Sequence, residues 1–106
     1  MKRLRRSNEV KEQTEHIRLL KSMYTSYKAL LVYAEGTGYY DDLIVLHDDI
    51  RYLIPTNQVD IRRMDNLIKN TIDDLGVTMY TQRMPHVIED QIEKLKRLLK
   101  ERNALS

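Results

Sequence analysis

The chain has 106 residues, 42% of them hydrophobic and 32% charged, with a net charge of +2. That length suits one domain with one modest core; the composition is too apolar for disorder, and no stretch approaches the ~20 apolar residues a bilayer span requires. The absence of cysteine excludes disulfide scaffolds, thiolate zinc sites and cysteine nucleophiles.

The opening "MKRLRR" is basic, but Ser7 to Gln13 are polar where a signal peptide needs an apolar stretch, so the expected compartment is the cytoplasm. Residues 1–7 form a basic segment that is a candidate for disorder. From about Asn8 to Glu35 the spacing predicts a first helix. Val10, Ile17, Tyr24 and Leu31 recur every seven residues, with Leu20, Tyr27 and Ala34 between them and Leu19, Met23 and Leu30 widening the stripe. Ser7 or Asn8 can cap it, and Glu9 and Glu12 suit the positive end of its dipole.

Gly36 stands where a left-handed residue would close this helix, and Thr37 can cap the next. Asp41 and Asp42 fit that helix's first turns, and Leu43, Leu46, His47, Ile50, Leu53 and Ile54 share one side until Pro55 stops it. A third helix is expected to start at Thr56 or Asn57, to bury Ile61, Met64, Ile68, Ile72 and Leu75, and to end at Gly76. "VTMYT" at 77–81 is β-branched and aromatic, and reads as an extended connection. Pro85 opens a fourth helix that runs to about Asn103 with Ile88, Ile92, Leu95 and Leu99 inward.

The fold class this predicts is all-α: an antiparallel four-helix bundle, or helical hairpins assembled as a homodimer, in a single helical domain over residues 1–106. Charge is uneven along it: +5 for residues 1–34, −5 for 35–75 and +2 for 76–106. Basic ends and an acidic middle suit self-complementarity, within one molecule or across a dimer.

Candidate chemistry is sparse. "GTG" at 36–38 follows a helix and precedes acids, unlike a phosphate-cradling loop, which joins a strand to a helix. "LIVLHDDI" places His47 and Asp48 at the end of an apolar helix, which resembles the metal-dependent phosphohydrolases named for that dipeptide. The resemblance covers two residues and implies further ligands from His16 and from Asp73, Asp74 or Asp90. Glu9, Glu12 and Glu15 have the spacing by which helical nucleotide pyrophosphatases hold magnesium, but Glu35, Asp42 and Asp49 do not supply the required second pair, so a solvated face is expected there. No catalytic residue, metal site or cofactor is predicted.

All seven aromatic residues are tyrosine, a side chain favoured at interfaces because it joins large contact area to a hydroxyl that tolerates water. The expected function is therefore a non-enzymatic protein-interaction module, a small helical adaptor or inhibitor of a larger protein or complex that also self-associates. Val10, Ile17, Tyr33, Tyr39, Tyr40 and Tyr80 are the interface candidates. The alternative is a DNA- or RNA-binding regulator that contacts phosphate through Lys2, Arg3, Arg5 and Arg6, with Arg62 and Arg63 at the start of the third helix. A metal-dependent phosphohydrolase is the remote alternative.

Overall fold

The computed structural model describes the backbone of residues 2–82 and 84–105 and the side chains of residues 10–82 and 84–105. The described residues form five helices and no strand: α1 (Lys2–Ala34), α2 (Tyr40–Val45), α3 (His47–Arg51), α4 (Val59–Tyr80) and α5 (Pro85–Leu105). None is long and apolar enough to cross a membrane.

The helical backbone of α1 runs through Ser7 and Asn8, the expected caps. Its buried stripe is His16, Leu20, Met23, Tyr27, Leu30 and Ala34, spaced four and three residues apart. The expected heptad series is displaced to the flank: Val10 is 64% exposed, Ile17 is also open to solvent, and Tyr24 and Leu31 are half-buried. Two overlapping stripes share Leu20, Tyr27 and Ala34, and the side carrying Met23 and Leu30 is the one that is sealed.

Gly36 closes the helix with φ of +79°, a conformation that glycine adopts without a β-carbon penalty. Thr37 does not cap α2; its hydroxyl donates to the Ala34 carbonyl at 2.6 Å and accepts the Tyr39 amide at 3.3 Å. The corner uses that hydroxyl before α2 begins, and Tyr39, which stands at the cap position, makes no side-chain cap.

The expected second helix is two short ones. At Leu46 the amide reaches back only three residues, to the Leu43 carbonyl at 3.2 Å, and the chain bends there while Leu43, Leu46 and Ile50 all stay in the core. α3 ends at Arg51, four residues before Pro55, and no helix covers 52–58. Ile54, expected on the core side, is 72% exposed.

α4 corrects two further expectations. It runs through Gly76 and on to Tyr80, taking in all of "VTMYT" but its last residue, because Met79 continues the buried series Ile61, Asp65, Ile68, Ile72, Leu75. The hydroxyls of Thr71, Thr78 and Thr81 donate to carbonyls four residues back, so these β-branched residues keep their polar groups satisfied along the helix. Burial against neighbouring helices thus overrides local strand propensity.

α4 lies between α1 and α5. Glu12 to Arg62, His16 to Asp65 and Tyr33 to Tyr80 pair early with early and late with late, so α1 and α4 run parallel. Asp65 to Arg102 shows α5 running the opposite way. The long axis is 54 Å, against 23 and 20 Å across. At 1.5 Å per residue, α1 spans about 50 Å and α4 about 33 Å. Since Arg62 is level with Glu12, the first two turns of α1 precede the start of α4.

Tyr27 shows how the core handles a polar group. Its ring is fully buried and its hydroxyl donates to the Leu43 carbonyl, stitching α1 to α2. Burial, and secondarily the Asp49 carboxylate, push the Tyr27 phenol well above its ordinary pKa of 10.0.

Candidate functional site

At one end of the molecule, α1, α4 and α5 each place one polar side chain at a stripe position that aliphatics hold elsewhere. His16 precedes Leu20, Asp65 lies between Ile61 and Ile68, and Arg102 follows Leu99; all three are buried. The Asp65 carboxylate accepts from His16 Nε2 at 2.7 Å and from Arg102 Nε and Nη2 at 3.1 and 3.4 Å. The Thr56 amide donates to His16 Nδ1 at 3.1 Å. An amide can only donate, so Nδ1 accepts and the ring proton sits on Nε2, directed at Asp65.

Arg102 Nη2 also donates to the Ile54 carbonyl at 2.8 Å. The extended segment 52–58 is therefore held by two backbone bonds to this polar layer, one at Ile54 and one at Thr56. A helix through these residues would have spent both groups on its own ladder. That is the physical reason for the departure from the expected second helix. Pro55, between the two anchors, has no amide to satisfy.

The segment borders a cleft of about 530 Å³ whose wall includes Tyr52, Ile54, Pro55 and Ile61, with Asp48 and Asp49 on the α3 side and Arg102 on the α5 side. Tyr52 and Ile54 are largely exposed. Arg51 lies over the Tyr52 ring, 5.3 Å from its centroid.

At the other end, a groove of about 410 Å³ runs between α1 and α4, floored by Ala29, Leu30, Ile72 and Gly76. Tyr33 and Tyr80 stand beside it with ring centroids 5.4 Å apart and planes tilted by 57°. Tyr80 is 71% exposed, and Val32 and Val77 nearby in their helices are also open to solvent.

The interface candidates thus divide. Tyr33 and Tyr80 come together, Val10 and Ile17 lie on the opposite flank of α1, and Tyr39 and Tyr40 pack half-buried against the core. Of the nucleic-acid candidates, Arg62 donates to the Asn57 carbonyl and faces Glu12 at 3.6 Å, while Arg63 is exposed. The side chains of Lys2, Arg3, Arg5 and Arg6 lie outside the described residues. His47 holds Asp48 through Nδ1 and meets the Tyr24 hydroxyl through Nε2, both at 3.3 Å. Tyr24 is eight residues, or about 12 Å, along α1 from His16. Among the described residues no three His, Asp or Glu side chains gather as a metal would need.

Compared with protein-family models, curated proteins and solved structures, the chain matches none.

The polar layer is what sequence reasoning missed. Its signal was present: His16, Asp65 and Arg102 each extend a four-three apolar series on their own helix. Nothing in one sequence shows that these three series converge on one level.

Proposed function

We propose that the chain is a non-enzymatic protein-interaction module, a small helical adaptor or inhibitor acting in the cytoplasm, which binds a larger partner and also self-associates. Its helices act as a bundle of the antiparallel kind in which the extended segment 52–58 completes the return path. The observation that carries this reading is the Tyr33–Tyr80 pair beside an apolar groove. Two tyrosines in tilted contact, with exposed Val77 lining the same groove, leave apolar surface in water at the position where α1 and α4 offer a shallow seat. Such surfaces are where partners bind, and large aromatics at their centre carry most of the affinity. Asp73 at the groove margin adds an acceptor beside the apolar floor, and Lys69 pairs with it at 2.6 Å.

Purification of the tagged chain from its native cell, with and without nuclease, tests this against a variant carrying Tyr33→Ser and Tyr80→Ser. A protein partner that survives nuclease and is lost from the variant supports the reading. Retention of nucleic acid alone, unchanged in the variant, overturns it.

A further inference from the structure

We infer that His16 is an acid-sensitive latch: a second proton on its ring releases the Thr56 amide and lets the chain at Pro55 swing away from the polar layer, opening the wall between two cavities. The latch lies at the opposite end of the molecule from the tyrosine groove and stands independently of the interaction reading above.

Donor direction is the first argument. The Thr56 amide donates to Nδ1 from 3.1 Å, while Nε2 holds the Asp65 carboxylate at 2.7 Å. A doubly protonated ring donates from both nitrogens. Its Nε2–H keeps Asp65, but the new Nδ1–H faces an N–H that has no lone pair to offer. The contact turns repulsive, and Thr56 has to leave.

Charge is the second. With a neutral ring the layer holds one buried cation, Arg102 on α5, and one buried anion, Asp65 on α4. A second proton on His16 leaves one positive charge unmatched in the interior, which is costly until water reaches it. Toward solvent, Glu12 and Glu15 of α1 and Arg62 of α4 line a pocket with His16, and Arg62 pairs with Glu12 at 3.6 Å. Glu15 is left to favour the proton from the exposed side. On α3, exposed Asp48 and Asp49 face the cleft beyond the segment. The closed arrangement binds one proton fewer than the open one, so it is complete at alkaline pH and is lost as pH falls, in the range of about pH 8 to 5 where histidine changes charge.

Confinement is the third. Arg102 Nη2 donates to the Ile54 carbonyl and Arg62 Nη1 to the Asn57 carbonyl, each at 2.8 Å. Both arginines keep their charge in acid, so the two flanks of the stretch stay held. Between them Pro55 has no amide, and the Thr56 amide hangs on His16. Leu53 and Pro55 line both the cleft of about 530 Å³ and a cavity of about 210 Å³ that reaches Leu20 and Ile50 between α1 and α3. Moving Pro55 therefore joins the two and bares apolar surface that the neutral form covers.

Nuclear magnetic resonance of the full chain between about pH 8 and 5 tests this by following two quantities together: the protonation of His16 Nδ1, and the protection of the Thr56 amide relative to an unstructured chain at the same pH. Protection of Thr56 is expected to fall at least about tenfold, reversibly, in step with the proton on Nδ1, while the Ile68 and Ile72 amides of α4 keep theirs. His16→Gln, whose side chain takes no proton in this range, makes Thr56 protection independent of pH, whereas His47→Gln leaves the acid response intact. Circular dichroism checks that each variant stays helical; if His16→Gln does not fold, the coincidence of the two wild-type curves decides. Thr56 that stays protected after His16 gains its proton overturns the proposal. So does a loss of protection that persists in folded His16→Gln, or one shared equally by Ile68 and Ile72, since acid then acts on the whole fold and not through the latch.

Discussion

The two ends of the helix assembly use the same stripe positions for opposite chemistry. Toward the Gly36 corner, α1, α4 and α5 meet through Tyr27, Leu30, Leu75, Ile92 and Leu95, and toward the other end through His16, Asp65 and Arg102. An apolar layer tolerates any neighbour of suitable volume. A polar layer demands particular partners at particular distances, and here it also captures the backbone of 52–58. One end supplies stability without direction, while the other fixes which helices meet, at what level, and how the connection crosses them.

The largest effect is expected from Asp65→Ala, which leaves Arg102 buried without its counter-charge and His16 without its acceptor. A loss of about 3–5 kcal/mol is expected in denaturant unfolding. Leu95→Ala, at a fully buried apolar position, removes about 2–5 kcal/mol through lost burial and the cavity left behind. The two differ in their remedy. Replacing His16, Asp65 and Arg102 together by Leu, Leu and Met restores stability to near wild type or above, as buried ion networks often allow. In that variant the Thr56 amide loses its acceptor and exchanges its hydrogen faster than in wild type, which hydrogen-exchange measurement reads directly.

Tyr27→Phe is expected to cost about 1 kcal/mol, the net worth of one buried hydrogen bond. It also changes the response to alkali. A phenol whose folded pKa is raised holds its proton longer folded than unfolded. Its contribution is therefore complete below the unfolded value and is lost as pH rises beyond about 10. Wild type loses stability in that range and Tyr27→Phe loses less, a difference that unfolding curves taken at pH 9 and 11 resolve. The smallest effect is a gain. A β-carbon built on Gly76 meets nothing within 4 Å, so Gly76→Ala raises stability by about 0.5–1 kcal/mol if α4 is continuous there. Destabilisation by that substitution would restore the reading of Gly76 as a helix end.

Much of the helical content was legible because apolar spacing reports a helix directly. The Gly36 closure, the Pro85 start and the burial of Ile61, Ile68, Ile72 and Leu75 stand as the spacing implied, whereas Met64 is half-buried and Asp65 takes the sealed position beside it. The misreadings have two sources. Where local and tertiary preferences conflict, as in "VTMYT" and at Gly76, burial of Thr78 and Met79 outweighs propensity. Where backbone groups are recruited by distant side chains, as at Ile54 and Thr56, no local pattern announces it. The candidate surfaces divide the same way: tyrosine enrichment pointed to Tyr33 and Tyr80, but 46 residues of chain separate the two rings that touch.

What the sequence determined by itself is that the chain folds as helices with an apolar side and a charged side, since that depends only on which residues recur each turn. Tertiary structure decided which of two overlapping stripes on α1 is sealed, where the second helix gives way, and that His16, Asp65 and Arg102 form one unit. Those outcomes depend on three helices arriving at one place. An ion buried alone is costly while a matched set is tolerated, so the identity of the partners, not of any single residue, settles the arrangement.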